Sequence, residues 1–261
     1  MDPLQAALVM GAAALGGGIN SIAGGGTLVT FPAIVALGVP PLVANATSTV
    51  ALWPASLGSL WGYRQDLRGS KAWALRFALP SLIGGGLGAA LLLRTGPDLF
   101  ERIVPFLVLL ATLLFASQRA LTAFIDRRKR QPTPERTAAL PNPPLLFLLY
   151  QLGVSIYGGY FGAGIGILML AALGFMGLTD IHRMNGLKNW GGLCMNAVAA
   201  ILFAKSGVVD GSVALAMAVG GLAGGYGGAR LARKVGREHV RTAIVFIGLS
   251  ASAWLLVRSL R

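Results

Sequence analysis

Residues 16–32 read GGGINSIAGGGTLVTFP, and this stretch is the most informative part of the sequence about the fold. It contains six glycines and the short polar residues Asn20 and Ser21, although the flanking sequence is strongly apolar. Glycine in a helix interior is about 1 kcal/mol less favourable than alanine, so a cluster of this kind interrupts a helix. The stretch therefore predicts a break within an apolar helical segment.

The composition of the whole chain is typical of an integral membrane protein. Of its 261 residues, 55% are hydrophobic and 12% are charged, whereas soluble domains carry roughly a quarter charged residues. Apolar runs of about 17–22 residues separate the charges, which is the length that a helix needs to cross a bilayer. Because Lys and Arg accumulate in cytoplasmic loops, the net charge of +13 does not indicate a nucleic-acid partner.

Ten apolar segments are predicted along the chain. They lie at about residues 4–19, 23–38, 42–62, 72–93, 103–125, 144–157, 160–178, 186–204, 212–229 and 239–258. The basic, proline-rich residues 126–143 form a predicted cytoplasmic connector between a first transmembrane repeat, residues 1–125, and a second, residues 144–261. We predict an all-α membrane protein with 8–10 transmembrane helices, some of them broken or re-entrant at glycine-rich motifs.

The two halves match each other without gaps in a single register, which places Gly24 on Gly164. The same register places Gly26 on Gly166 and Asn45 on Asn185. Equivalent loops nevertheless differ in charge: residues 63–71 are basic, whereas residues 203–211 are nearly neutral. Since basic loops stay on the cytoplasmic side, we predict that the two repeats have inverted orientations, as in many secondary transporters.

The glycine-rich motifs are the first candidate binding elements. In a bilayer, broken backbone is tolerated only where protein or a cavity covers it. The half-helix that follows a break presents free N–H groups and a positive dipole end, which favour an anion. We expect this site at Gly24, Gly25 and Gly26 in the first half, and at Gly164 and Gly166 in the second. Close helix packing through small residues is the alternative interpretation.

Polar residues at the start of two apolar segments are the second set of candidates. They are Asn45, Thr47 and Ser48 in the first half, and Asn185, Lys188, Asn189 and Asn196 in the second. A lysine within a membrane segment indicates a functional site, although its side chain can also extend to the interface. The asparagines can alternatively cap their own helices.

Several classes of function are disfavoured by what the sequence lacks. The nine acidic residues all fall at loops or segment ends, and the chain has a single cysteine, Cys194. No metal-binding motif and no plausible Ser/His/Asp set is present. We therefore expect no catalytic residues, no metal site, no cofactor and no enzymatic activity.

The glycine motifs and their surroundings resemble the sulfite exporter TauE/SafE family of membrane permeases. The resemblance covers GGGINSIAGGGTLVTFPAIVALGVPPLVANATST in the first half, and YGGYFGAGIGILMLAAL with MNGLKNWGGLCMNAVAAILFAKSGVV in the second. Carried over by position, the family motif falls on Gly24, Gly25, Gly26, Pro32, Asn45, Thr47, Ser48, Gly162, Gly164, Gly166, Lys188 and Asn196. One departure is that Ala171 and Ala172 replace Phe31 and Pro32 of the first half, which predicts a milder second break.

The resemblance implies a multi-pass transporter of small anions in the bacterial cytoplasmic membrane, with sulfite, sulfonates and related sulfur oxyanions as typical substrates. We expect a secondary transporter or facilitator that exports a small sulfur-containing anion by alternating access. Its expected partners are that anion and the lipid bilayer. The alternatives are a transporter of another small solute and a membrane scaffold that transports nothing.

Overall fold

The computed structural model describes residues 1–22, 24–118, 143–176, 178–231 and 237–259, together with residues 120 and 123. Within these residues the chain forms ten α-helices and no β-strand. The helices are α1 (Pro3–Ile22), α2 (Thr27–Ala36), α3 (Pro41–Gly62), α4 (Lys71–Arg94), α5 (Pro97–Ala116), α6 (Leu145–Tyr160), α7 (Ile165–Phe175), α8 (Ile181–Ser206), α9 (Gly211–Leu231) and α10 (Arg237–Ser259). The all-α prediction is confirmed. Apart from Pro143, the predicted connector lies outside the described residues.

Five helices among the described residues are long and apolar enough to cross a membrane: α1, α4, α5, α8 and the Thr242–Ser259 part of α10. Large apolar side chains are exposed along the outer helix faces, for example Leu79 on α4, Phe106 on α5 and Leu215 on α9. In water such a surface would drive association, whereas in a bilayer it contacts hydrocarbon. The protein is therefore a multi-pass membrane protein.

The helices pack mainly across the two halves of the chain. One three-helix group consists of α1, α3 and α9, and a second consists of α4, α6 and α8. Helix α5 packs against α10, and α3 joins the two groups by packing against α8. Glycines bring the partners close: a Cβ atom on Gly224 of α9 would overlap the Ala14 carbonyl, and one on Gly88 of α4 would overlap the Ile156 carbonyl.

Both predicted helix breaks are present. Helix α1 ends at Ile22 and α2 begins at Thr27, while α6 ends at Tyr160 and α7 begins at Ile165. The expectation of a milder second break is wrong, because this break contains two glycines with positive φ. Helices α2 and α7 have only 10 and 11 residues, or roughly 15 Å each at 1.5 Å per residue, so each covers about half of the hydrocarbon thickness.

Two predicted segments begin later than the helices that overlap them. Helix α5 starts at Pro97 and not near residue 103, and α8 starts at Ile181 and not near residue 186. Helix α8 begins there because Asp180 caps it, with a carboxylate oxygen accepting hydrogen bonds from the His182 and Arg183 amides at 2.9 and 3.4 Å. An aspartate at this position satisfies N–H groups that have no partner within the helix.

Candidate functional site

The two breaks meet backbone to backbone in the interior. Gly24 has a φ of 81°, a conformation that is strained for any residue with a side chain. A Cβ atom on Gly24 would also overlap Cα of Gly166, in the first turn of α7. In the second break, Gly162 and Gly164 have φ values of 84° and 80°. Glycine is therefore required here both by backbone conformation and by the close approach of the two halves.

A partly enclosed cavity lies where the breaks meet. Its wall combines both breaks with one face each of α3 and α8. The lining residues are Asn20, Gly24, Thr27, Thr49, Leu52, Ser56, Gly162, Ile165, Gly166, Met169, Lys188, Asn189, Gly192 and Asn196. The cavity is thus built from elements of both halves of the chain.

Two helix N-termini reach this cavity without a capping side chain. Thr27 is the first residue of α2, and Ile165 is the first residue of α7; both line the cavity. The preceding residues, Gly26 and Gly164, have no side chain with which to cap these helices. The first turn of a helix has N–H groups without intrahelical partners, and these groups attract anions. The Leu28, Val29 and Ile167 amides already donate to the carbonyls of Gly25, Gly26 and Gly164, so an anion here would be favoured by the positive dipole ends and by the first amides of the two helices.

Lys188 occupies the same region and is only 3% exposed. Its Nζ donates hydrogen bonds to the backbone carbonyls of Asn20 at 2.9 Å and Ser21 at 3.1 Å, in the last turn of α1. Asn189 Nδ2 also donates to the Ser21 carbonyl, at 3.1 Å. A cation is favourable at a helix C-terminus because of its exposed carbonyls and negative dipole end. The broken end of α1 thus holds the ammonium group of Lys188 at the cavity wall.

The charge balance of the cavity is positive. Among the described residues that line it, Lys188 is the one with a charged side chain, and none of them carries a carboxylate. The hydroxyl or amide groups of Thr27, Ser56 and Asn196 add neutral hydrogen-bonding capacity. This combination favours a small anion over a cation, because a buried charge needs a partner of opposite sign.

Five of the twelve predicted site residues line the cavity: Gly24, Gly166, Lys188, Asn189 and Asn196. The other seven lie outside its wall: Gly25, Gly26, Asn45, Thr47, Ser48, Gly164 and Asn185. Any role of these twelve residues in binding remains a prediction.

The first three of these outer residues have clear structural partners. A Cβ atom on Gly25 would lie 2.5 Å from Cε2 of Phe115, so this glycine makes room for the aromatic ring. Gly26 packs in the same way against the Gly16 carbonyl. Asn45 donates from Nδ2 to the Tyr160 carbonyl at 2.9 Å, across the two halves. Gly25 and Gly26 thus allow close packing at the first break, and Asn45 ties α3 to the end of α6 at the second break.

Three more outer residues also have neighbours that explain their burial. The hydroxyl groups of Ser48 and Thr30 are hydrogen-bonded at 2.7 Å, which ties α3 to α2. The Thr47 hydroxyl accepts a hydrogen bond from the Asp210 amide at 3.0 Å. Gly164, with its positive φ, lies next to α5, where a Cβ atom would be 3.3 Å from Cα of Ala111. These contacts are structural.

The remaining outer residue, Asn185, differs from the other six. Its side chain is fully buried, and within the described part of the chain neither polar atom of its amide has a hydrogen-bond partner. A buried amide in this state is unusual in a native protein. Its burial is therefore not explained by a structural hydrogen bond.

Sequence reasoning did not select several polar residues that line the cavity, including Asn20, Thr49 and Ser56. Helical spacing along α3 would have found two of them. Thr49, Leu52 and Ser56 are three and four residues apart, and this spacing puts them on one helix face.

The described residues contain no group of three His, Cys, Asp or Glu side chains placed to hold a metal ion. The cavity chemistry that can be derived from these residues is therefore that of Lys188, backbone N–H groups, hydroxyls and amides.

Comparison with known proteins is consistent with this architecture. Residues 9–255 match the family described as sulfite exporter TauE/SafE. A probable membrane transporter protein, YfcA of Escherichia coli K12, is 30% identical over 99% of this chain and 92% of its own length. The probable membrane transporter protein ORF9 of a Sinorhizobium species is 28% identical over 94% of this chain and 90% of its own length. No solved structure matches the chain.

The family match extends over both helix breaks and the whole cavity, and the relatives align over nearly the full length of the chain. The protein is therefore a membrane transporter, and it belongs to the sulfite exporter TauE/SafE family.

Proposed function

We propose that the protein exports a small sulfur-containing anion, with sulfite as the first candidate, by alternating access. The proposal depends mainly on one observation, which is that two uncapped helix N-termini and Lys188 converge on a single cavity between the two halves. An anion in this cavity would receive backbone N–H donors from α2 and α7 together with the positive charge of Lys188.

The choice of a sulfur oxyanion follows from chemistry and family together. Sulfite and sulfonates are compact anions with three oxygen atoms, and those oxygens accept hydrogen bonds in several directions at once. The donors around the cavity also lie on several sides, on α2, α7 and α8. The family description names sulfite export, which makes sulfite the appropriate first probe.

Alternating access is supported by how the helices exchange partners between the halves. Helix α1 packs with α9, and α6 packs with α4; likewise α3 packs with α9, and α8 packs with α4. By their order in the two halves, α1 corresponds to α6, α3 to α8 and α4 to α9. Replacing each helix by its counterpart turns the α1–α9 pair into the α6–α4 pair, and the α3–α9 pair into the α8–α4 pair. Two inverted repeats with interchangeable contacts have two related conformations, one open to each side of the membrane.

Membrane voltage gives the direction of net movement. With the cytoplasm negative, moving one negative charge outward is favoured by about 2.3 kcal/mol per 100 mV. No carboxylate lines the cavity among its described residues, so we assign export to voltage and not to proton coupling. Proteoliposome flux that follows an imposed pH gradient and ignores voltage would contradict this assignment.

Thermal stability of the purified protein in detergent tests the site directly. Sulfite, kept reduced, is compared with sulfate, thiosulfate, taurine, sulfoacetate, acetate and chloride. A ligand that binds only the folded state stabilises it by about 2.7 kcal/mol at 100 times its Kd. We expect the melting temperature to rise by several degrees with sulfite and not with chloride.

The matched variants are Lys188→Ala and Lys205→Ala, which remove one lysine each from α8. Lys205 is exposed in the last turn of this helix, away from the cavity. We expect Lys188→Ala to abolish the sulfite-dependent rise and Lys205→Ala to retain it. Equal responses in both variants would remove Lys188 from the site, and no response of the wild type to any anion would refute the proposed function.

A further inference from the structure

A polar stripe runs along α8 from its N-terminus into the cavity. It consists of His182, Asn185, Asn189, Gly192 and Asn196, whose successive spacings are three, four, three and four residues. Residues at these spacings share one helix face. At 1.5 Å per residue the stripe is about 21 Å long, so it is long enough to connect the cavity with one side of the membrane.

The inner part of the stripe belongs to the cavity, and its outer end lies at the turn between α3 and α4. Asn189, Gly192 and Asn196 line the cavity. At the outer end, the His182 ring lies 6.4 Å from the Tyr63 ring, measured between centroids. This turn belongs to the basic loop at residues 63–71, which is predicted to be cytoplasmic. Asn185 lies between these two ends.

Asn185 is fully buried, yet within the described part of the chain neither its Nδ2 nor its Oδ1 has a hydrogen-bond partner. Its counterpart in the first half, Asn45, donates from Nδ2 to the Tyr160 carbonyl, although its Oδ1 also lacks a partner within the described residues. Nearby on α1, the buried hydroxyl of Ser21 also lacks a partner within the described residues. Buried polar groups in native proteins are nearly always hydrogen-bonded, and Asn185 is the residue for which both side-chain polar atoms lack a partner within the described residues.

The turn between α3 and α4 covers this position. The Leu67 side chain packs against Gly186, where a Cβ atom would lie 2.9 Å from the leucine Cγ. Tyr63 is 1% exposed and packs near the end of α1. Arg183 donates from Nε to the Ser70 hydroxyl at 2.7 Å, which fastens the far end of the turn to α8.

We propose that the α8 stripe lines the route between the cavity and the predicted cytoplasmic side, and that Asn185 hydrogen-bonds the anion in transit along it. Residues 63–70 close this route here, and their displacement from Gly186 opens it. The inference rests on the proposed function for the identity of the passing solute. The existence and position of the route rest on Asn185 and the stripe alone.

Thiol labelling tests the route without any knowledge of the substrate. In a Cys194→Ala background, Asn185→Cys is compared with Leu187→Cys in inside-out membrane vesicles, which present the predicted cytoplasmic side to a membrane-impermeant maleimide. Leu187 is the matched control, because it is fully buried in the apolar core at nearly the same depth of α8. We expect Asn185→Cys to react about tenfold faster or more, since labelling follows the population of the open conformation. Equal rates in the two variants would overturn the proposal.

Asn185→Leu tests the role of the amide in transport. We expect unchanged or increased thermal stability, because leucine replaces an amide that has no hydrogen-bond partner in the described part of the chain. The sulfite-dependent rise in melting temperature should remain, while sulfite flux into proteoliposomes falls by about tenfold, as one lost hydrogen bond in the rate-limiting passage implies. Flux at the wild-type rate would overturn the proposal, and so would loss of sulfite binding, which would assign Asn185 to the cavity.

The two experiments separate the failure of the route from the failure of the proposed function. If sulfite neither stabilises the wild type nor crosses the membrane with it, the sulfur-anion function fails, while the labelling result still decides the route. If sulfite binds and is transported but Asn185→Cys reacts no faster than Leu187→Cys, the route fails and the proposed function stands.

Discussion

The two helix breaks have the same length, but a charged side chain bonds to one and a neutral side chain to the other. Four residues separate α1 from α2, and four separate α6 from α7. At the first break, the carbonyls at the end of α1 accept hydrogen bonds from the ammonium group of Lys188. At the second, the Tyr160 carbonyl accepts a hydrogen bond from the neutral amide of Asn45. The two breaks therefore share their length and a positive-φ glycine at matched positions, Gly24 and Gly164, whereas among the described residues the charged partner, Lys188, is at the first break.

The difference is traceable to one pair of positions. Ser48 and Lys188 are matched in the register that places Gly24 on Gly164, so they occupy equivalent places in the two halves. The Ser48 hydroxyl bonds to Thr30 within its own half, while the longer Lys188 side chain crosses to the other half. The repeat thus supplies two helix ends that are suited to an anion, and a single residue difference supplies the charge.

The largest expected effect comes from adding a methyl group at the point where the breaks touch. Gly24→Ala combines a strained positive φ, which costs about 1–2 kcal/mol, with overlap against Gly166, which adds about 1–3 kcal/mol. At the second break, Gly162→Ala incurs mainly the backbone cost, because the nearest atom, the Gly158 carbonyl oxygen, would lie 3.1 Å away. Thermal unfolding in detergent should rank the two variants in this order.

Gly38→Ala provides the control for backbone strain in both breaks. Gly38 has a φ of 88° and open space where its Cβ would lie. If Gly24→Ala is no more destabilising than Gly38→Ala, the close contact between the two breaks is incorrect.

The second-largest effect is expected from removing the charge that distinguishes the two breaks. Lys188→Ser gives the second half the residue that the first half has at this position, and removes two hydrogen bonds to the end of α1. Hydrogen bonds to a charged group contribute about 1.5–3 kcal/mol, so a lower melting temperature and no response to sulfite are expected. Ser48→Ala is the matched change, and it should leave the sulfite response intact. A normal response of Lys188→Ser would mean that the helix ends suffice without charge.

A smaller effect is expected at the paired asparagines. Asn45→Leu removes the hydrogen bond to Tyr160 and leaves a buried carbonyl with one partner fewer, which costs about 1–3 kcal/mol. Asn185→Leu removes no hydrogen bond within the described residues, so its stability should equal or exceed that of the wild type. Denaturation of the two variants side by side measures the difference in stability between Asn45→Leu and Asn185→Leu. Equal destabilisation by the two substitutions would contradict the prediction.

The smallest expected effect concerns the residues that precede α4 and α9, which are equivalent helices of the two halves. Asp210 precedes α9, and its pKa is lowered by hydrogen bonds from the Ser212 hydroxyl and the Val213 amide. The equivalent residue before α4 is Ser70, which has no carboxylate. A lowered pKa means that ionised Asp210 stabilises the fold above its unfolded pKa of about 3.9, and that this contribution is lost as the pH falls through the folded pKa. Asp210→Asn should therefore flatten the acid limb of the stability–pH curve.

The sequence predicted the positions of both breaks because glycine clusters have a direct backbone consequence. The starts of α5 and α8 were predicted less well. Hydropathy shows which residues can contact lipid, whereas the residue at which a helix begins is set by capping. Residues 180–185 look like a loop because they include Asp180, His182 and Arg183, yet Asp180 caps α8 and the helix begins at the next residue. In this chain a polar stretch therefore does not by itself mark the end of a helix.

The residues that line the cavity were harder to predict, because the same residue types also form structural hydrogen bonds outside its wall. Asn196 lines the cavity and Asn45 ties α3 to the end of α6, although both residues are asparagines. The match between the two halves finds equivalent positions without finding equivalent partners, as Ser48 and Lys188 demonstrate. Three-dimensional contacts are needed to separate the two roles.

The pairing of α1 with α9 determines the order in which the protein can be assembled during synthesis. Helix α1 ends at Ile22 and α9 ends at Leu231, about 200 residues later. Ribosomes add about 5–20 residues per second, so α1 waits roughly 10–40 s in the membrane before its principal partner exists. Throughout this interval the glycines of α1 that pack against α9, such as Gly17, lack that partner. Neither three-helix group can be completed from the first half of the chain, so the two halves reach their folded state together.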